Sequence, residues 1–139
     1  MATPPDPQPR VGVGAFILHH GKLLLVLRKR DPEAGHWGLP GGKVDFLEPL
    51  ETAIVREVAE ELGVTIRLDG LLCVLDQIDP QARTHWVAPT YRAHITAGEP
   101  TVQEPDALGG CGWFELDALP QPLTLATHTA LAHLLTRGG

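Results

Sequence analysis

Hydrophobic residues fill two neighbouring runs near the start of the chain, residues 11–19 and 22–28, which are separated by His20-Gly21. Both runs are rich in Val, Ile and Leu, and a short polar break between two such runs is typical of a β-hairpin. Apolar residues occupy both alternating faces of each run. The pattern therefore predicts two strands in the middle of a sheet.

Two longer runs, residues 64–78 and 84–96, predict antiparallel strands joined by a turn at Asp79-Pro80. Residues 98–112 contain two prolines and four glycines and are predicted to form a loop. Residues 123–135 predict an amphipathic helix with leucine and alanine on one face. We expect this last helix to pack on the opposite side of the sheet from the helix described next.

A helical pattern starts at Pro49, expected to be its first helical residue, and ends at Gly63. At about 100° per residue its apolar residues form one stripe, while Glu57, Glu60 and Glu61 cluster elsewhere. These carboxylates repel one another by about 3 kcal/mol per pair at ~6 Å and an effective dielectric of ~20. They form either a solvated acidic face or a site for Mg²⁺ or Mn²⁺, and the absence of any lysine in this helix favours the metal site.

The spacing of the residues from Gly42 to Val64 resembles the signature of the Nudix hydrolases. Gly42 is followed at the signature intervals by Glu48, Arg56-Glu57, Glu60-Glu61 and Gly63-Val64. The resemblance implies an α/β protein, a Nudix-type α/β/α sandwich with a central mixed β-sheet. The catalytic helix is expected on one side of the sheet and the C-terminal helix on the other. Residues 10–137 are expected to form a single domain after a flexible arm at residues 1–9.

The same resemblance implies which residues act in the site. The metal ligands are expected to be Glu57, Glu60 and Glu61 together with the carbonyl of Gly41. Glu48 is expected to form an ion pair with Arg56 at the entrance of the helix. Either Glu60 or Glu104 could serve as a general base, and the sequence leaves both open. The expected catalytic residues are Glu48, Arg56, Glu57, Glu60, Glu61 and Glu104.

Candidate substrate-binding residues lie outside the helix. Arg28 and Arg30 follow the second strand and are either surface cations or phosphate clamps, for which the guanidinium fork is suited. Trp86 and Tyr91 either fill the core or stack on a nucleobase. Gly42 permits a close approach of the backbone to a ligand.

Composition narrows the class of ligand. The 139 residues carry a net charge of -6 with a pI near 5.5, which argues against a basic surface for duplex nucleic acid. No apolar run reaches the ~18 residues of a membrane span, and residues 1–10 contain no apolar signal core. We therefore expect a cytoplasmic protein without a membrane partner.

The ending of the chain, from Glu104-Pro105-Asp106 to Leu119-Pro120, resembles that of Nudix enzymes of the MutT and nucleoside triphosphate diphosphatase type. This resemblance implies hydrolysis of a nucleoside diphosphate linked to another moiety, first of all a (deoxy)nucleoside triphosphate cut to monophosphate and pyrophosphate. The alternatives are an ADP-ribose or nucleotide-sugar pyrophosphatase and a non-catalytic nucleotide-sensing module. A homodimer is left open.

Overall fold

The computed structural model describes residues 7–137, so most of the predicted arm at residues 1–9 lies outside the described part. The predicted hairpin and the two long strands are present, with bounds within two residues of those expected. The elements are β1 (Arg10–His19), β2 (Lys22–Arg28), β3 (Trp37–Gly38), β4 (Gly41–Lys43), α1 (Leu50–Leu62), β5 (Thr65–Asp79), β6 (Thr84–Ala97), β7 (Leu108–Glu115) and α2 (Leu125–Arg137).

The strands form one mixed sheet in the order β3-β2-β1-β6-β5. β4 pairs with β1, and β7 pairs with β2. The pairing of β1 with β6 is parallel, whereas the remaining pairings are antiparallel. The two central strands of the predicted hairpin therefore lie inside the sheet, as their apolar faces require.

The two helices cover opposite faces of this sheet. Ala15 and Ile17 of β1 pack in a core cluster with Ile54 and Val58 of α1. Phe16, which points to the other face because strand side chains alternate, belongs to a second cluster that contains Ala130 of α2. The predicted α/β/α sandwich is confirmed. No helix in the described residues is long and apolar enough to cross a membrane.

The glycine-rich run at residues 98–112 is not a loop throughout, which corrects the sequence prediction. β7 begins at Leu108, and its pairing with β2 includes Leu27 with Gly110 and Leu25 with Gly112. Glycine is unfavourable in a strand by itself, but a neighbouring strand that supplies the ladder overrides that preference. Only the part before Leu108 remains irregular, and that part approaches the site described below.

The ends of α1 differ in one detail from the prediction. Pro49 is the residue before the helix, with an extended ψ of 148°, and Leu50 is the first helical residue. Gly63 ends the helix as predicted, because its left-handed φ of 70° lets its N–H donate to the carbonyl of Ala59. The fixed ends orient the carboxylates of α1 toward β4.

Candidate active site at the carboxylates of helix α1

The guanidinium of Arg56 connects three glutamates of the predicted site. Its Nε and Nη2 donate to the two oxygens of Glu48 at 2.7 and 2.8 Å, a bidentate geometry. Its Nη1 donates to Glu57 at 3.0 Å and to Glu60 at 3.1 Å. The predicted Glu48–Arg56 ion pair is present, and the hydrogen bond from Arg56 lowers the pKa of Glu48 to about 2.

Glu61 lies in the opposite electrostatic environment. The residue is only 8% exposed, and its Oε1 accepts a hydrogen bond of 2.7 Å from the N–H of Gly41. Burial raises the pKa of Glu61 to about 8, and the nearby charges of Glu57 and Glu104 act in the same direction. The hydrogen bond from Gly41 and the positive charge of Arg28 oppose this rise but do not overcome it.

Two positions of β4 have no room for a side chain. A Cβ on Gly42 would collide with the carboxylate of Glu57, and a Cβ on Gly41 would collide with the carbonyl oxygen of Val13. Glu57 is therefore pressed against the backbone of β4. Burial raises its pKa, an effect that the hydrogen bond from Arg56 reduces.

The residues around β4 suit a hard divalent cation in their chemistry. Glu57 and Glu61 supply carboxylate oxygens at adjacent places, and burial raises the pKa of both. Across residues 7–137, however, no three His, Cys, Asp or Glu side chains converge on one point as a preformed metal site. Glu60 is half exposed and paired with Arg56 instead. Mg²⁺ usually keeps several waters, so two carboxylates and a carbonyl are a sufficient protein contribution.

The loop before β7 lies close to these carboxylates. The N–H of Gln103 donates to the carbonyl of Glu61 at 2.8 Å, and Nζ of Lys29 donates to the carbonyl of Pro105 at 2.9 Å. Glu104 is thereby held near α1, and its charge raises the pKa values of both Glu57 and Glu61. The fold brings this predicted residue to the site although it is more than forty positions away in the sequence.

A cavity of about 240 Å³ opens on the other side of the same glycines, on the face of the sheet that α2 covers. Gly41 and Gly42 line it, and the carboxylates of Glu57 and Glu61 contact these two glycines from the side of α1. Arg28 also lines it, and its Nε donates to the carbonyl of Pro32 at 2.9 Å, which holds the guanidinium beside the loop after β2.

Comparison with known proteins agrees with the sequence signature and this geometry. The NUDIX domain model matches residues 8–134. The chain belongs to the NUDIX domain family. It is a pyrophosphohydrolase of that family, acting on substrates that contain a nucleoside diphosphate.

Two enzymes and one solved structure are similar to this NUDIX chain. It is 34% identical over 113 residues to the ADP-ribose pyrophosphatase of Methanocaldococcus jannaschii, covering 81% of this chain and 66% of that protein. It is 35% identical to a putative 8-oxo-dGTP diphosphatase 2 of Mycobacterium tuberculosis, covering 71% of this chain and 70% of that protein. The crystal structure of a MutT NUDIX hydrolase from Burkholderia pseudomallei is similar with a TM-score of 0.89 and 59% identity, covering 91% and 98% of the two chains.

The predicted substrate-binding residues of the NUDIX chain separate in the structure. Arg28, Gly42 and Trp86 line the cavity. Arg30 is exposed and meets the cavity lining only through its carbonyl, which accepts from Nη2 of Arg28 at 3.4 Å. Tyr91 is 8% exposed and belongs to the core cluster on the α1 face, so of its two predicted roles the structure favours core filling.

The position of Tyr91 follows from strand alternation. Trp86, Ala88 and Thr90 of β6 line the cavity, two residues apart each time. Tyr91 is offset from them by an odd number of residues and therefore points to the other face of the sheet. The same reasoning applied to the sequence would have separated Tyr91 from Trp86.

The structure adds two cavity residues that the sequence analysis did not select. Glu33 in the loop after β2 and Gln77 in β5 both line the cavity, and Nε2 of Gln77 donates to Oε1 of Glu33 at 3.2 Å. They are 44 positions apart in the sequence. Neither belongs to a motif, so no local signal could have selected them.

Proposed function

We propose that this NUDIX chain hydrolyses a (deoxy)nucleoside triphosphate to the monophosphate and pyrophosphate with the help of Mg²⁺ or Mn²⁺. One observation carries the proposal. Glu57 and Glu61 meet the backbone of Gly41 and Gly42 where a cavity lined by Arg28 begins. Carboxylates suited to a cation thus contact two glycines of the cavity lining, and a guanidinium suited to phosphate lines the same cavity.

Each residue contributes a separate part of this chemistry. Glu57, Glu61 and the carbonyl of Gly41 would hold the cation, together with Glu60, which shares Nη1 of Arg56 with Glu57. The cation would offset negative charge on the phosphoryl oxygens and help to activate water. Arg28 binds the phosphates. The Glu48–Arg56 pair orients Glu57 through the hydrogen bond from Nη1 of Arg56.

The general base is proposed to be Glu104 rather than Glu60. Glu60 is already engaged by Nη1 of Arg56 at 3.1 Å, which leaves its Oε2 less available to a water. Glu104 is exposed in a loop close to Glu57 and Glu61, where water can reach it. Replacing Glu104 by glutamine should lower kcat at saturating Mg²⁺ by at least about 100-fold, whereas Glu60→Gln should lower it by much less.

A second substrate class has support from the comparisons. The archaeal relative is named ADP-ribose pyrophosphatase, so ADP-ribose or a nucleotide sugar is the alternative substrate. Both classes contain the diphosphate that the carboxylates and Arg28 would bind. A homodimer stays a prediction.

Product analysis separates these possibilities. The full chain is incubated with Mg²⁺ and a panel of deoxynucleoside triphosphates and ADP-ribose, and products are separated by chromatography. We expect monophosphate and pyrophosphate in equal amounts from a triphosphate. If ADP-ribose is hydrolysed with release of ribose 5-phosphate and no triphosphate is hydrolysed, the second proposal replaces the first. Glu57→Gln should abolish turnover, whereas Glu51→Gln, an exposed carboxylate in the first turn of the same helix, is the matched control.

A further inference from the structure

The lining of the cavity includes a fixed polar pair, Glu33 and Gln77. Oε1 of Glu33 accepts from Nε2 of Gln77 at 3.2 Å, and Oε2 of Glu33 accepts from the backbone N–H of Leu125 at 2.8 Å. Leu125 is the first residue of α2, so the carboxylate also satisfies a helix N-terminus. Both oxygens of Glu33 are therefore held in place.

The backbone of Glu33 is held as well. Its φ is +64°, a left-handed value that is unfavourable for a residue with a Cβ. Its carbonyl accepts from the N–H of His36 at 3.1 Å. Glu33 is thus kept in a strained backbone conformation, and its side chain is hydrogen-bonded to β5 and α2. It is a preorganised part of the cavity lining rather than a mobile surface residue.

The position of this pair matches the far end of a bound nucleotide. The sheet order places β4, β1, β6 and β5 side by side, and Gly42, Gly12, Trp86 and Gln77 line the cavity from these four strands in turn. Gly42 pairs with Val13, whereas Gln77 pairs with Trp86 and Trp86 with Arg10, so Gly42 and Gln77 are three strands apart and offset by three residues, roughly 17 Å in all. This distance is comparable to the length of an extended nucleotide, and Trp86 lies between the two ends.

The hydrogen-bonding groups left on the pair are mainly acceptors. A glutamine amide has one carbonyl oxygen and two N–H groups, and Glu33 uses one N–H of Gln77. The carbonyl of Gln77, its second N–H and a lone pair on Glu33 remain for a ligand. A side-chain amide pairs well with a base edge that offers an amino group beside a ring nitrogen. A carboxylate next to it repels a carbonyl oxygen at the same place.

We propose that Glu33 and Gln77 read the edge of the nucleobase and select bases with an exocyclic amino group over their oxo counterparts. This inference rests on the proposed function, since it places the reacting phosphates at Gly42, beside the carboxylates of α1. Cytosine should bind better than uracil, and adenine better than hypoxanthine. Within each pair the ring is the same size, so the comparison isolates the edge.

Binding of non-hydrolysable nucleotides tests the inference without relying on turnover. The α,β-imido analogues of dCTP and dUTP are titrated into the full chain with Mg²⁺ by calorimetry. We expect the cytosine analogue to bind at least about fivefold more tightly to the wild type. In Gln77→Ala the two affinities should become equal within about twofold. The control Gln81→Ala, at an exposed position of the turn between β5 and β6, should keep the wild-type ratio.

A paired substitution distinguishes reading of the base from support of the fold. Gln77→Glu places two carboxylates together and should weaken both analogues, whereas adding Glu33→Gln restores one amide beside one carboxylate and should restore the preference for cytosine. Equal wild-type affinities, an unchanged ratio in Gln77→Ala, or a double variant without preference would each overturn the inference. Turnover of dCTP, measured separately, decides the proposed function.

Discussion

Two glutamates near helix α1, Glu48 and Glu61, have the same side chain and opposite electrostatics. Glu48 accepts a bidentate pair from Arg56, which lowers its pKa to about 2. Glu61 is buried beside Glu57 and close to Glu104, and its pKa rises to about 8. The protein neutralises Glu48 with its own cation, Arg56. Glu61 is instead neutralised by a proton or by a cation from outside. This difference is the physical reason for assigning a metal to the Glu61 side of the site.

The largest expected effect follows from removing a charge on that side. Glu61→Gln should lower kcat at saturating Mg²⁺ by at least about 100-fold, since loss of even an outer partner of a metal ligand typically costs 10- to 100-fold. The circular dichroism spectrum should remain that of the wild type, because glutamine can still accept from the N–H of Gly41. Activity within a few-fold of the wild type would remove Glu61 from the metal site.

The stability of the metal-free protein should report the raised pKa of Glu61. With a folded pKa near 8 against an ordinary 4.5, the folded state retains a proton that the unfolded state releases. The contribution of Glu61 to stability is thus complete below about pH 4.5 and is lost as the pH rises through 8. In urea unfolding with a chelator present, the free energy of unfolding of Glu61→Gln relative to that of the wild type should rise by a few kcal/mol between pH 4.5 and 8.5. A constant difference across that range would contradict the burial of a carboxylate there.

Glu48 should show the reverse and smaller trend. Its folded pKa near 2 lies below the unfolded value of 4.5, so its contribution is present above pH 4.5 and is lost as the pH falls toward 2. The wild type should exceed Glu48→Gln in free energy of unfolding at pH 7, and the difference should shrink by pH 3. Urea midpoints at both pH values measure it. A difference that grows on acidification would show that the ion pair does not set the pKa of Glu48.

Much of the fold could be predicted because its signals are local. The hairpin, β5, β6 and both helices follow from periodicity, a proline before α1 and a glycine after it. β7 could not be predicted, because Gly109, Gly110 and Gly112 carry no strand preference and the pairing with β2 supplies the structure. The face of the sheet to which Tyr91 points could also be predicted. It follows from strand alternation counted from Trp86, because both residues lie on one predicted strand.

The candidate site likewise has residues that a local motif predicts and residues that only the folded structure brings together. The α1 carboxylates and Gly42 stand in a motif with fixed spacing, so their convergence was expected. Glu60 as a metal ligand stays a prediction, and its hydrogen bond to the same nitrogen of Arg56 that contacts Glu57 is not revealed by spacing alone. Glu33 and Gln77 meet through a contact between distant segments, and no spacing predicts that contact. The cytoplasmic location stays a prediction.

The central claim, that Glu61 requires an external cation, is tested most directly by the effect of Mg²⁺ on stability at pH 8. The free energy of unfolding is measured by urea denaturation with increasing Mg²⁺ for the wild type, Glu61→Gln and the exposed control Glu51→Gln. Mg²⁺ at 100 times its Kd should stabilise the wild type and the control by about 2.7 kcal/mol and Glu61→Gln by much less. Equal stabilisation of all three proteins, or of none, would contradict the account.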